Sequence, residues 1–301
     1  MRRSKLRYWD YLGIKLGRAR LALILSVAFY CASFAGEAHA RMKLTVCDMR
    51  LLVDSTRRQE TAWKAFETGD VATARLIEKE IEMELQNSEV EAIEYIRQGS
   101  SEVYRVRLAN GMYAIFKPSI DHWEYKRVRE FHDERMPQRE AAAYRLDRLI
   151  GAHMVPVTVM RTVDGQLGSL QIFVHVDSAV VSPSALRTER RMTILDYITG
   201  AHDRSPQNIL RVDGGVVAID NAMAFLLKAP HLAFGIQLPP KLTHVEALPD
   251  FQSDLRLFHS VNRDEFHREL GGLLTGEEID GAFDRYFELI GRVQSGAPGH
   301  S

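Results

Sequence analysis

The chain has 301 residues, a formal net charge of -1, 46% hydrophobic residues and 26% charged residues, the balance of one large globular domain or two small ones. That balance excludes a disordered chain and provides no basic surface for nucleic acid. The near-neutral total hides an asymmetry, because residues 1 to 40 carry seven basic side chains against Asp10 and Glu37, which leaves the remainder at -6 (-1 minus +5).

The basic flank runs into "LALILSVAFYCASFAG", sixteen apolar or small residues, and then "AHA" at 38 to 40. A positive flank, an apolar run and a small-x-small site are the parts of a secretory signal, with cleavage expected after Ala40. The alternative is a single-pass signal anchor, since the run is only slightly short of a membrane span, and it would give the protein a membrane contact through this segment. Cys31 lies inside the run, so a cleaved chain keeps only Cys47 and forms no intramolecular disulfide.

Residues 54 to 88 place Trp63, Phe66, Val71, Ala74, Ile77, Ile81 and Leu85 on one apolar stripe, which predicts one or two helices broken near Gly69-Asp70. The texture then changes to three strands over 90 to 119, with Asn110-Gly111 as the strongest hairpin signal in the chain. A helix is predicted from Pro137 to a stop at Gly151, and two further strands about Asp164-Gly165. The order β-β-β-α-β-β predicts an antiparallel sheet with one helix laid on it. Beyond residue 181 the pattern is mainly helical, interrupted by a short hairpin about Asp213-Gly214; the tail after 292 reads as frayed.

Several chemistries are missing from the sequence. There is no GxxxxGK[ST], GxGxxG, HExxH, CxxC or GxSxG, and the eleven histidines have no ligand spacing. What is present is a set of polar residues in the order that phosphoryl transfer requires: a phosphate cradle, a cation, carboxylate or amide ligands for magnesium, and a base. Gly99, Ser100 and Ser101 form a turn between two strands whose backbone N–H groups and hydroxyls can donate to phosphate, although such a turn is also an ordinary hairpin loop. Lys117 ends the apolar strand "YAIFKP", and Glu140 lies in the first turn of the following helix, where it can hold that lysine. Their plain readings are a snorkelling lysine and a dipole-favoured glutamate.

In "GAHDRSPQNILRVDGGVVAIDNAMAF", residues 200 to 225, Asp203 stands five residues before Asn208, the spacing of a catalytic base and a metal-ligating amide. The hairpin that follows returns Asp220 toward Asn208, and two hard oxygen ligands suit Mg2+ better than zinc or calcium. The plain alternative is that Asp203 and Asn208 organise a loop and Asp220 caps a helix.

With these residues placed, the chain resembles the atypical kinases of the protein-kinase-like superfamily. "LDYITGAHDRSPQNIL" followed by "VVAIDNAMAF" looks like the catalytic and metal-binding segments of type II phosphatidylinositol 4-kinases, and the D-R-x-x-x-N arrangement is similar to that of four-jointed and the Golgi casein kinase group. "FKP" and "REAAAYRLDRLIGAHMVPVT" resemble bacterial phosphatidylinositol 3- and 4-kinase-like proteins. The likeness covers residues 95 to 228. Ala222 stands where the lipid kinases tend to carry glycine, and the Gly99 loop carries a single glycine.

The resemblance implies an α+β, bilobal protein-kinase-like fold with ATP between a β-rich and a mainly helical lobe. It also implies Asp203 as base, Asn208 and Asp220 as magnesium ligands, and Lys117, paired with Glu140, on the phosphates. The expected divisions are a signal or anchor at 1 to 40, a helical extension at 41 to 89, the two lobes at 90 to 180 and 181 to 292, and a tail at 293 to 301. The expected activity is magnesium-dependent transfer from ATP to a hydroxyl of a protein, sugar or phosphoinositide, by an exported protein. The alternative is a pseudokinase or scaffold that binds nucleotide without transfer.

Overall fold

The computed structural model describes residues 46–96, 102–119, 135–175, 183–212, 215–227 and 239–294. The expected signal or anchor segment, Gly99, Ser100, Ser101 and the Asp213-Gly214 turn lie outside these residues. Among the described residues no helix is long and apolar enough to cross a membrane.

Two helices come first, α1 (Val46–Glu67) and α2 (Val71–Asn87). They break where the sequence predicts, with Gly69 at φ 82 and the Asp70 side chain accepting a hydrogen bond from the Thr73 amide at 3.2 Å. Ala74, Ile81 and Leu85 bury the stripe of α2. Helix α1 begins at Val46, eight residues before the predicted helical segment at 54, and part of what it buries is polar. Ser55 Oγ accepts from the Tyr113 amide at 3.0 Å, Gln59 Oε1 from Val157 at 2.8 Å and Thr56 Oγ1 from His175 at 2.7 Å. These three amides lie at or just beyond strand ends, where the helix side chains supply the acceptors that the ladder lacks.

The sheet is antiparallel throughout, in the order β1 (Val90–Tyr95), β2 (Tyr104–Leu108), β3 (Tyr113–Pro118), β5 (Gln166–Ile172), β4 (Thr158–Val163). Both hairpin turns use the predicted residues, with Gly111 at φ 83, and Asp164 and Gly165 at φ 49 and 78. Helix α3 (Met136–Ile150) packs on β4 and β5 and stops at Gly151, φ 79. Its Ala141-Ala142-Ala143 run is fully buried, which lets the helix lie close to the sheet. Gly168 on β5 stands opposite Pro118, and a Cβ there would fall 2.4 Å from the Lys117 carbonyl oxygen. Only glycine fits beside the end of β3.

The second lobe contains α4 (Pro183–Thr199), the hairpin β6 (Ile209–Val212) and β7 (Gly215–Ala218), and helices α5 (Leu242–Glu246), α6 (Phe251–Leu255), α7 (Arg263–Leu270) and α8 (Gly276–Gln294). A continuous apolar core runs from Val106, Phe116 and Leu170 of the sheet through Leu146 of α3 to Ile198 of α4 and Phe266 of α7. Arg139 and Glu278, each almost fully buried, pair at 3.0 Å and fasten the start of α3 to α8. The architecture is the predicted one: an α+β, bilobal kinase-like fold with a helical segment before it.

One packing choice carries a pH dependence. Glu78 of α2 and Asp147 of α3 are both buried. Burial, and then the nearby Asp147 charge, push the Glu78 carboxyl up to about 8. Burial also lifts Asp147 to about 7, although it accepts the Met154 and Val155 amides. Both are therefore raised over their unfolded values, so the stability they allow is complete in acid and is lost as pH rises toward 8. Carboxylates with lowered values act below about pH 4, outside this window. The melting temperature should fall between pH 5.5 and 8.5, and Glu78→Gln should flatten that fall. Parallel profiles for the two proteins in thermal melts would reject this account.

Candidate functional site

Lys117 projects from the end of β3, and two acids from distant parts of the chain meet its ammonium group. Glu140 forms an ion pair with it from the second turn of α3, one turn further in than expected because the helix begins at Met136, and Asp220 Oδ1 lies 2.6 Å away. Glu140 is almost fully buried, whereas the Asp220 side chain is 45% exposed, so this arrangement opens to solvent on the Asp220 side. The second Glu140 oxygen accepts the Asn221 amide at 2.9 Å, which ties the helix to the segment after β7. Burial opposes the charge on Lys117, but the Asp220 and Glu140 carboxylates outweigh it and raise its pKa. Lys117 is a fixed cation at this position.

Asp203 and Asn208 lie on the loop between α4 and β6. The Asn208 Nδ2 donates to the Asp203 carbonyl at 2.8 Å, which commits the amide nitrogen and makes the oxygen the atom that could hold a cation. In the hairpin, Ile209 pairs with Ala218 and the Ile219 amide donates to the Asn208 carbonyl at 3.1 Å. Asn208 and Asp220 therefore flank one end of β6–β7. The strand itself stops at Ala218, two residues short of the predicted end. Asp220 is at φ 56, a left-handed turn that swings its carboxylate to Lys117.

The two aspartates are electrostatically distinct. Asp203 is raised by burial and then by the charge of Asp220, while Asp220 is lowered by Lys117. Asp203 therefore keeps its proton to higher pH than Asp220, which Lys117 holds ionised.

Four further residues, of which the sequence gives an expectation only for Arg204 as an organiser of the loop, belong to the same region. Arg204 bonds Asp196, the Asn208 and Ile219 carbonyls and Asn221. Asp196 was visible only as the single acid in the apolar run "ILDYI", and Asn221 as the neighbour of Asp220. His202 is buried, with its amide bonded to the Met223 carbonyl at 3.1 Å and its ring to Gly200 O. It serves the loop backbone.

The donor set suits a hard divalent cation. Asp220 and Asn208 offer a carboxylate and an amide oxygen, few enough protein ligands to leave positions for phosphate oxygens and water. Among the described residues no group of three or more His, Cys, Asp or Glu side chains gathers as a metal cage.

A β-rich lobe bearing a Lys–Glu pair, with a helical lobe whose loop and hairpin carry two aspartates, makes a bilobal kinase-like fold. A solved structure similar to it is a crystal structure of the Golgi casein kinase with Mn/ADP bound, 16% identical, with a TM-score of 0.50 over 73% of this chain and 76% of that one. A second crystal structure of the Golgi casein kinase aligns over the same shares at 13% identity and a TM-score of 0.45. No protein-family model matches the chain, and no curated protein matches it in sequence.

Proposed function

We propose that the protein is an ATP phosphotransferase that uses a divalent cation, Mg2+ in the first instance, and transfers the γ-phosphate to a hydroxyl group. The observation that carries this reading is the Lys117 ammonium, held by Glu140 of α3 and by Asp220 from beyond β7. A lysine so placed is a phosphate-binding cation, and the acid that it shares is a cation ligand. The fold supports the reading, since the Golgi casein kinase was crystallised with Mn/ADP.

In this reading Asn208 and Asp220 hold the metal, which when bound neutralises charge on the phosphates and aligns them. Lys117 binds phosphate oxygens while Glu140 keeps it in place, and the backbone amides and hydroxyls of Gly99, Ser100 and Ser101 donate to the phosphates. Asp203 accepts the proton of the acceptor hydroxyl. The acceptor oxygen bonds to the γ-phosphorus as the bond from that phosphorus to the departing ADP oxygen breaks. The raised pKa of Asp203 suits a base, and its repulsion by Asp220 relaxes once cation and Lys117 share that charge. Export through the N-terminal segment favours protein or sugar acceptors, and the likeness of the 200–225 segment to lipid kinases favours a phosphoinositide.

The test is transfer of labelled phosphate from ATP to a lysate, to free sugars and to phosphoinositide vesicles, by wild type, Asp203→Ala and Asp220→Ala. Wild type alone should label an acceptor. Equal labelling by all three would reject the proposal, and nucleotide binding without labelling would replace it by a scaffold.

A further inference from the structure

We infer that Arg204 is the positioning residue of this site, the group that sets the Asp203–Asn208 loop and the Ile219–Asn221 segment in one register. This rests on the roles given above to Asp203, Asn208 and Asp220. The guanidinium bonds four residues in three stretches of chain. Its Nε and Nη2 bond the buried Asp196 carboxylate of α4 at 3.0 to 3.2 Å. Its Nη1 donates to the Asn208 carbonyl at 3.1 Å and to the Ile219 carbonyl at 2.6 Å, and Nη2 also reaches Asn221 Oδ1 at 2.5 Å.

The placement matters because both aspartates are in left-handed backbone, Asp203 at φ 72 and Asp220 at φ 56. Residues other than glycine hold that conformation only where their surroundings over-determine it. Arg204 directly follows Asp203 and grips the residues on both sides of Asp220. The Asn208 carbonyl that it holds also accepts the Ile219 amide, and the Asn221 that it holds donates its own amide to Glu140. One planar fork therefore connects α4 to the partner of Lys117.

A lysine cannot reproduce this. It presents three donors from a single point, whereas these contacts require the directions of a guanidinium. In Arg204→Lys the bonds from the His202 amide to Met223 O and from the Phe225 amide to Thr199 O remain, so the two segments stay attached but lose their register.

The test compares wild type, Arg204→Lys and, as a stability control, Arg190→Ala, which removes the 2.7 Å pair between α4 and Asp254 without touching the site. Arg204→Lys should speed amide exchange at Ile219 and Asn221 by about tenfold or more while the amides of β2 and β3 are unchanged. The Mg2+ concentration for half-maximal transfer should rise about 10- to 100-fold, with KM for ATP little changed, the size seen when a ligand-orienting group is lost. Arg190→Ala should do neither. Unchanged exchange at Ile219 and Asn221, or an equal rise in Mg2+ requirement in Arg190→Ala, would overturn the inference. If wild type transfers no phosphate, the proposed function fails by itself, and the exchange measurement alone decides for or against Arg204.

Discussion

Lys117→Met is expected to abolish phosphate transfer and also to lower the melting temperature by about 10 °C. Removing the ammonium leaves Glu140 as an unpaired, almost fully buried carboxylate beside Asp220. Breaking one side of a buried pair costs about 3–5 kcal/mol, because the remaining charge keeps its desolvation penalty, and each kcal/mol shifts the midpoint of a chain this size by about 2–4 °C. The energetic and functional consequences can be separated. Adding Glu140→Gln removes the stranded charge while leaving an oxygen to accept the Asn221 amide, so the double variant should regain most of the lost stability and none of the activity. A Lys117→Met protein that melts with wild type would show that the ion pair is not formed in solution.

Much of this arrangement is legible before any coordinates. Alternation and turn residues identify the sheet: Asn110-Gly111 and Asp164-Gly165 lie at its hairpins, and Gly151 ends α3 at φ 79. These features are local, set by backbone preferences within a few residues. The Lys117–Glu140 contact is also anticipated, since a lysine ending a strand and a glutamate starting the next helix are joined by a single crossover.

What the sequence hides depends on contacts distant in the chain. Between Leu52, which is buried, and Trp63 the only apolar residues of α1 are Val53 and Ala62; Ser55, Thr56 and Gln59 are there to receive amides of Tyr113, His175 and Val157. Polar residues that meet strand ends resemble a solvated face to any periodicity. Asp196 and Arg204 are eight residues apart and become partners only when the chain turns after Gly200, at φ 60. Asp220 was expected beside Asn208, and the hairpin does return it there, yet its carboxylate turns to Lys117 because the strand stops at Ala218 and the backbone becomes left-handed.

The position of Asp220 between Lys117 and the metal site also predicts that the two aspartates fail differently when neutralised. Asp203→Asn should cut kcat by about 10²–10⁴-fold, the contribution of a positioned general base, with nucleotide affinity retained. Asp203 makes no contact with Lys117, so the phosphate-binding cation is undisturbed. Asp220→Asn should instead remove binding of nucleotide with Mg2+ or Mn2+, since the permanently ionised ligand is lost, while the melting temperature stays near wild type because Lys117 keeps Glu140. Thermal shift with Mn2+ and ADP separates the two: a shift in Asp203→Asn and none in Asp220→Asn. The pH profile supplies an independent check. Asp203 accepts a proton only when ionised, so kcat/KM should fall as pH drops through its pKa in the free enzyme, where burial and then the Asp220 charge hold it above the ordinary carboxylate range. Equal loss of ADP binding in both variants, or an acid limb at the ordinary aspartate value, would remove Asp203 from the role of base.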